Sequence, residues 1–200
     1  KRDFDKYRGG PETHPFLKKI GMEHLVPFEH ENFEKWTQSM HFGAEGRMNT
    51  VHEESNIKLG GGLDDVWFNR KTNELHIVDY KSTAQGTRSP DKYQKKSVSL
   101  DDPWKVAYKR QMDMYVWVAR NKGFDVSNTG YFVYVDAQHK DINGMLIDND
   151  PATAWMKFDT SIIRYEADPS WIESTLLEIK DFLLNEKKCP KHSPIGDNYS

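Results

Sequence analysis

Along "ELHIVDYKS", Glu74–Ser82, apolar and polar positions alternate with the two-residue period of a β-strand. Leu75, Ile77 and Asp79 fall on one face, and His76, Val78 and Tyr80 on the other. Upstream, "NIKLGGGLDDVWFN" reads as a strand broken by a glycine bend, because consecutive glycines mark a bulge or a close backbone approach. The polar "RKTN" between the two is turn-like, so together they predict a β-hairpin. Residues 84–100 form a polar loop long enough to suspect function. Helical spacing then takes over, with Val106, Met114 and Val118 on an apolar stripe. Asp102 is a candidate N-cap, Pro103 suits the first helical position, and Gly123 lies just past the end. "TGYFVYVDA" predicts a buried strand, and "GMLIDN" and "AWMKFDTSIIRYEA" predict further strands. Asp168-Pro169 opens a last helix whose Leu176, Ile179 and Leu183 are expected to face inward. The first fifty residues are mixed, with a short helix in "EHENFEKWTQSM".

Hairpin, helix, strands and helix predict an α/β fold with a central mixed β-sheet flanked by helices. We expect one domain over 1–200: an N-terminal helical or irregular part (1–55), a core (56–137), and C-terminal strands and helix (138–200). The length is enough to bury a substantial core. At 36% hydrophobic and 12% aromatic residues, the composition argues against a disordered chain. No apolar run approaches the roughly 20 residues of a membrane helix. A single cysteine, Cys189, excludes an internal disulfide framework, and with no signal peptide the expectation is cytoplasmic.

The net charge of −3 gives no general attraction for nucleic acid, so a polyanion site must be a local patch. Lys81–Arg110 supplies one candidate, with Lys81, Arg88, Lys92, Lys95, Lys96, Lys105, Lys109 and Arg110 against Asp91, Asp101 and Asp102. It reads either as a solvated loop and helix face or as a track for phosphates.

Asp79 and Lys81 project to the same face of their strand, and the hairpin brings Asp64 near Asp79. Two carboxylates that close repel unless a hard cation bridges them. Mg²⁺ favours one or two carboxylates, waters and phosphate oxygens, and the backbone carbonyl of Tyr80 can complete such a shell. Lys81 would stand beside the activated water or the phosphate. The alternative is an ordinary exposed Asp–Lys pair on an edge strand.

Three blocks resemble motifs of the PD-(D/E)xK nucleases, most closely the branch of RecB-like and CRISPR adaptation nucleases. "GGLDDVW" resembles that branch's Gly-x-x-Asp, "IVDYKST" its (Asp/Glu)-x-Lys, and "RQMDMYVW" its Gln-x-x-x-Tyr. The resemblance implies a restriction-endonuclease-like core with Asp64 and Asp79 as metal ligands and Lys81 as catalytic lysine. Gln111 and Tyr115, one helical turn apart, would support the site. The implied activity is metal-dependent hydrolysis of DNA phosphodiesters by a metal-activated water, with Mg²⁺ or Mn²⁺. RNA stays open as a substrate, no membrane is expected, and a larger repair, phage or defence complex is possible company. The branch usually carries an upstream histidine ligand. His14 after Gly10 fits that spacing best, with His52 and His41 as competitors. Lys92, Lys95, Lys96, Lys105, Lys109 and Arg110 would track the phosphate backbone.

Some branch members hold an iron–sulfur cluster on four cysteines, so Cys189 alone implies none here. Asp65, Asp136, Asp141, Asp148 and Asp150 are further carboxylates to check for metal. No EF-hand, Walker loop or Gly-x-Ser-x-Gly elbow is found. The competing reading is a catalytically silent nucleic-acid-binding module of the same fold within a larger complex.

Overall fold

The structure, a computed structural model, describes residues 1–84, 97–138, 146–147, 150–154 and 156–185. In chain order the elements are α1 (Arg2–Asp5), α2 (Pro15–Lys19), β1 (Leu25–Pro27), α3 (Phe33–Trp36), β2 (Met48–His52), β3 (Ile57–Gly61), β4 (Asp65–Asn69), β5 (Leu75–Thr83), α4 (Val106–Asn121), β6 (Thr129–Gln138), β7 (Leu146–Ile147), β8 (Asp150–Ala154), β9 (Lys157–Glu166) and α5 (Ile172–Leu184). Five strands form one mixed sheet in the order β1-β4-β5-β6-β9, parallel only between β5 and β6. A parallel pair needs a crossover, and α4 lies in that connection. This is an α/β fold of the restriction-endonuclease-like kind, with helices on both faces of the sheet.

The alternation read from β5 decides which layer covers which side chain. Leu75 and Ile77 join Val66, Phe132 and Tyr134 under the α4 residues Met112, Tyr115, Val116 and Ala119. Val78 joins Trp67, Tyr131 and Val133 on the opposite face, closed by Phe4 of α1, Leu17 of α2 and Leu25 of β1. With both faces covered, β5 is buried from Leu75 to Asp79. The turn before it has Asn73 at φ 62°, a left-handed conformation that asparagine tolerates.

α4 is held at its flank by Asp113. Its Oδ1 accepts hydrogen bonds from the Tyr165 hydroxyl and the Asp168 N–H, each at 3.0 Å, and Oδ2 accepts from Trp171 Nε1 at 3.0 Å. This ties α4 to the end of β9 and the start of α5. Gly123, at φ 89°, lies just past the helix end as its position predicted.

Several expectations differ. Asp102 holds the N-cap position with Pro103 next, but of a 3-10 turn (Pro103–Lys105) ahead of α4, and its carboxylate makes no capping bond and lies 2.7 Å from Lys105 Nζ. Val106 is exposed because it projects away from the sheet on the first turn of α4. Leu176 is buried, but Ile179 and Leu183 are exposed, because α5 extends past the core. A second hairpin, β2–β3, lies against α4 and was not foreseen.

Candidate active site

In the β4–β5 hairpin Asp65 pairs with Val78, so the same register continued by one residue sets Asp64 across from Asp79. The ladder stops there because the chain turns away: Leu63 N–H donates to the Trp36 carbonyl at 2.8 Å. The Asp64 carboxylate takes the vacated place, its Oδ2 accepting the Tyr80 N–H at 2.8 Å. N–H and C=O of one strand residue point to the same edge. The Tyr80 carbonyl therefore faces this gap too.

Asp79 is 6% exposed. Lys81 Nζ donates to its Oδ1 at 3.0 Å and lies 2.8 Å from Oδ2. The closer contact, with Oδ2, is an ion pair off the hydrogen-bonding angle. Burial raises the Asp79 carboxyl above the ordinary aspartate range. The hydrogen bond and charge of Lys81 oppose the rise, and the negative charge of Asp64 adds to it. Lys81 Nζ also sits 4.3 Å from the centre of the Tyr108 ring. Two carboxylates that work against each other, one of them buried, suit a hard divalent cation, for which one or two carboxylates suffice. Among the described residues no group of three His, Cys, Asp or Glu side chains converges on a common point.

α4 approaches this gap with one face. The Tyr115 hydroxyl donates to the Gly62 carbonyl at 2.7 Å and accepts from Gln111 Nε2 at 3.2 Å. Burial raises its phenol, with Asp79 and Asp64 adding to the rise and Gln111 opposing it. A Cβ at Gly61 would meet that hydroxyl at 2.9 Å, and one at Gly60 would meet the Met48 carbonyl at 2.4 Å. The glycines thus let the backbone pack against β2 and α4 just ahead of Asp64. Replacing Tyr115 by Phe is expected to cost about 1 kcal/mol of stability. Thermal melts of variant and parent side by side check it.

Residues 12–189 match the model of the PD-(D/E)XK nuclease superfamily. The chain belongs to this superfamily. No match is found among curated proteins or among solved structures. PD-(D/E)XK proteins are typically hydrolytic nucleases that act on nucleic acid with divalent metals, generally Mg²⁺. In this PD-(D/E)XK chain the structure brings together Asp64, Asp79, Lys81, the Tyr80 backbone, Gln111 and Tyr115. It adds Tyr108, which precedes Gln111 by three residues and Tyr115 by seven. That helical spacing is the signal that could have found it.

Other candidates lie elsewhere. His14 is a correction: its Nδ1 accepts the Phe16 N–H at 3.1 Å, capping α2, and its ring stacks on Phe4 at 4.0 Å. Phe4 packs against Trp67 and Tyr80, so His14 is on the face of the sheet opposite Asp79. His52 bonds to the Ser55 hydroxyl at 2.9 Å beside Trp117, and His41 is exposed in a 3-10 turn. Lys105 is also corrected: it is fully buried, with Nζ on Asp102 and on the Ser99 carbonyl at 2.6 Å, so it offers no cation to a phosphate. Lys109 is half-buried and Arg110 exposed, both on α4. Lys92, Lys95 and Lys96 lie outside the described residues, as do Arg88, Asp141, Asp148 and Cys189.

Asp65 is buried with all its acceptor capacity used by Arg8, Tyr80, Trp67 and the Val66 N–H. Asp136 is buried and pairs across strands with Asp159, and Asp150 lies in β8. No described helix is long and apolar enough to cross a membrane.

Proposed function

We propose that this chain is a metal-dependent deoxyribonuclease of the RecB-like branch, without an iron–sulfur cluster. The observation that carries the reading is the buried Asp79 carboxylate, raised by its burial and by the nearby charge of Asp64, with Lys81 alongside. Asp64, Asp79 and the Tyr80 carbonyl would hold Mg²⁺ or Mn²⁺. When bound there, the ion supplies Lewis acidity toward the phosphodiester and lowers the pKa of the attacking water. Lys81, steadied by Asp79 and the Tyr108 ring, neutralises charge developing on the phosphate. Gln111 and Tyr115 keep the Gly62–Asp64 segment in register with β5. Lys109 and Arg110, with Lys92, Lys95 and Lys96, would follow the phosphate backbone, so binding weakens as salt rises. A single cysteine suits a reducing compartment, and we assign the protein to the cytoplasm on that ground.

The test is incubation of labelled linear, circular and single-stranded DNA, and RNA, with each divalent metal. Cleavage of DNA with Mn²⁺ or Mg²⁺, abolished by chelator, is the expected outcome. Protection from thermal unfolding by Mn²⁺ with no cleavage of any substrate would instead identify a silent binding module.

A further inference from the structure

Trp104 is half exposed, at 50%, although a large indole is usually withdrawn from water. Its setting holds it there. Pro103 fixes the backbone of the 3-10 turn, and one side of the ring lies over Lys105 Nζ at 4.8 Å, itself anchored on Asp102 and the Ser99 carbonyl. The indole meets the Tyr108 ring edge-on, with centroids 5.8 Å apart and planes at 85°. Tyr108 in turn carries the Lys81 ammonium. Tyr108 thus touches both an exposed, prefixed indole and the lysine at the candidate site.

Beyond Tyr108 the surface remains apolar. Ala107, Met114 and Leu59 line an open cavity of about 530 Å³ that shares Tyr108 and Gln111 with the site, and Arg110 stands among its lining residues. A duplex would turn its phosphates toward such a wall and leave the aromatic face unused. An unpaired strand presents base faces, which stack on aromatic rings whatever their sequence.

On these contacts, and resting on the nuclease reading above, we infer that Trp104 and Tyr108 form a stacking platform for an unpaired nucleobase flanking the scissile phosphate, which makes single-stranded nucleic acid the preferred substrate. Trp104 is a positioning residue and supplies nothing to the bond-breaking step. Its removal should leave the Lys81–Asp79 ion pair in place, so the loss should depend on the substrate.

The experiment measures kcat/KM with Mn²⁺ on a labelled unpaired oligonucleotide, the same sequence as a blunt duplex, and the unpaired form with abasic residues flanking the cut. Trp104→Ala should lower cutting of the unpaired strand about 5- to 100-fold, mainly through KM, with the duplex changed less than about twofold and the melting temperature kept. Trp104→Phe should restore most of the loss. The abasic strand should be cut by the parent as slowly as the normal strand is cut by Trp104→Ala, with no further loss when the two changes are combined. Equal losses on both substrates, no loss on either, or a parent indifferent to the abasic residues would each overturn the platform, and would leave the apolar wall to a protein partner. Should Trp104→Ala fail to fold, Trp104→Phe and the abasic strand still decide. A parent that cuts nothing with any metal overturns the nuclease reading and the platform with it. A parent that cuts only duplex overturns the platform alone.

Discussion

Replacing Asp79 by asparagine is expected to lower DNA cleavage by at least about 10³-fold while leaving the melting temperature equal to or above that of the parent. The two effects share one cause. The Asp79 carboxylate is buried, raised by that burial and by the charge of Asp64, and the Lys81 ammonium offsets the rise only in part. An ionised group in that setting destabilises the fold, and under the proposed function its charge would serve the reaction. Asparagine has the same shape, ends the repulsion with Asp64, and still offers Oδ1 to Lys81. Lys81→Met should also suppress cleavage, by about 10²- to 10³-fold. It should move stability the other way, because it strips Asp79 of its cation and leaves two carboxylates uncompensated. Cleavage rates with Mn²⁺ and thermal melts of both variants give four numbers. A pair of variants that lose activity with the same sign of stability change would contradict the electrostatic account. Cleavage by Asp79→Asn within tenfold of the parent would remove Asp79 from the site.

The core of the site was legible because its geometry is local. A strand's period sets Asp79 and Lys81 on one face, and a four-residue turn sets the register that brings Asp64 opposite Asp79. Gln111 and Tyr115 came from the resemblance to the Gln-x-x-x-Tyr motif, and the Tyr115 hydroxyl's bond to Gly62 links two blocks more than fifty residues apart. The histidine was not legible. A spacing from glycine to His14 says nothing about which face of the sheet the N-terminal segment covers, and here it covers the face opposite Asp79.

Counting lysines failed at Lys105 for a related reason. Asp102 stands three residues earlier, a spacing that folds the ammonium back onto the chain, and a tally of charge does not see it. The last helix shows the limit of periodicity. Leu176, Ile179 and Leu183 lie along one stripe, but where the covering layer ends depends on the sheet beneath, and Leu183 lies past that end.

Replacing Arg8 by methionine is expected to cost about 3–5 kcal/mol of stability at neutral pH, roughly 10 °C in melting temperature for a chain of this size. Arg8 Nη2 lies 2.7 Å from Asp65 Oδ1 and 2.7 Å from Asp5 Oδ1, and Nη1 donates to the Phe28 carbonyl. Its guanidinium also lies 3.6 Å from the centre of the Phe33 ring, a contact that the methionine side chain partly keeps. Asp65 is 0% exposed. Burial raises its carboxyl, and the charge of Arg8 is the largest influence holding it down. Without Arg8 the carboxylate keeps hydrogen bonds from Tyr80, Trp67 and Val66 but faces no cation, so its folded-state pKa climbs further above the unfolded aspartate value.

The sign then follows. The folded variant binds a proton at a pH where the unfolded chain does not, so its stability rises as pH falls. The deficit against the parent should therefore be largest at pH 7 and shrink as pH falls toward the parent's own folded-state pKa for Asp65, which burial already holds above the ordinary aspartate value. Denaturation curves of both proteins at several pH values check it. A deficit independent of pH would mean that Arg8 acts through its packing on Phe33. A deficit under about 1 kcal/mol would mean that the pair is no stronger than a surface ion pair. Because Asp65 is the residue next to Asp64, the same ion pair anchors the N-terminal segment beside the strand end that presents the candidate metal ligand. Arg8→Met should accordingly lower cleavage at temperatures where the protein remains folded.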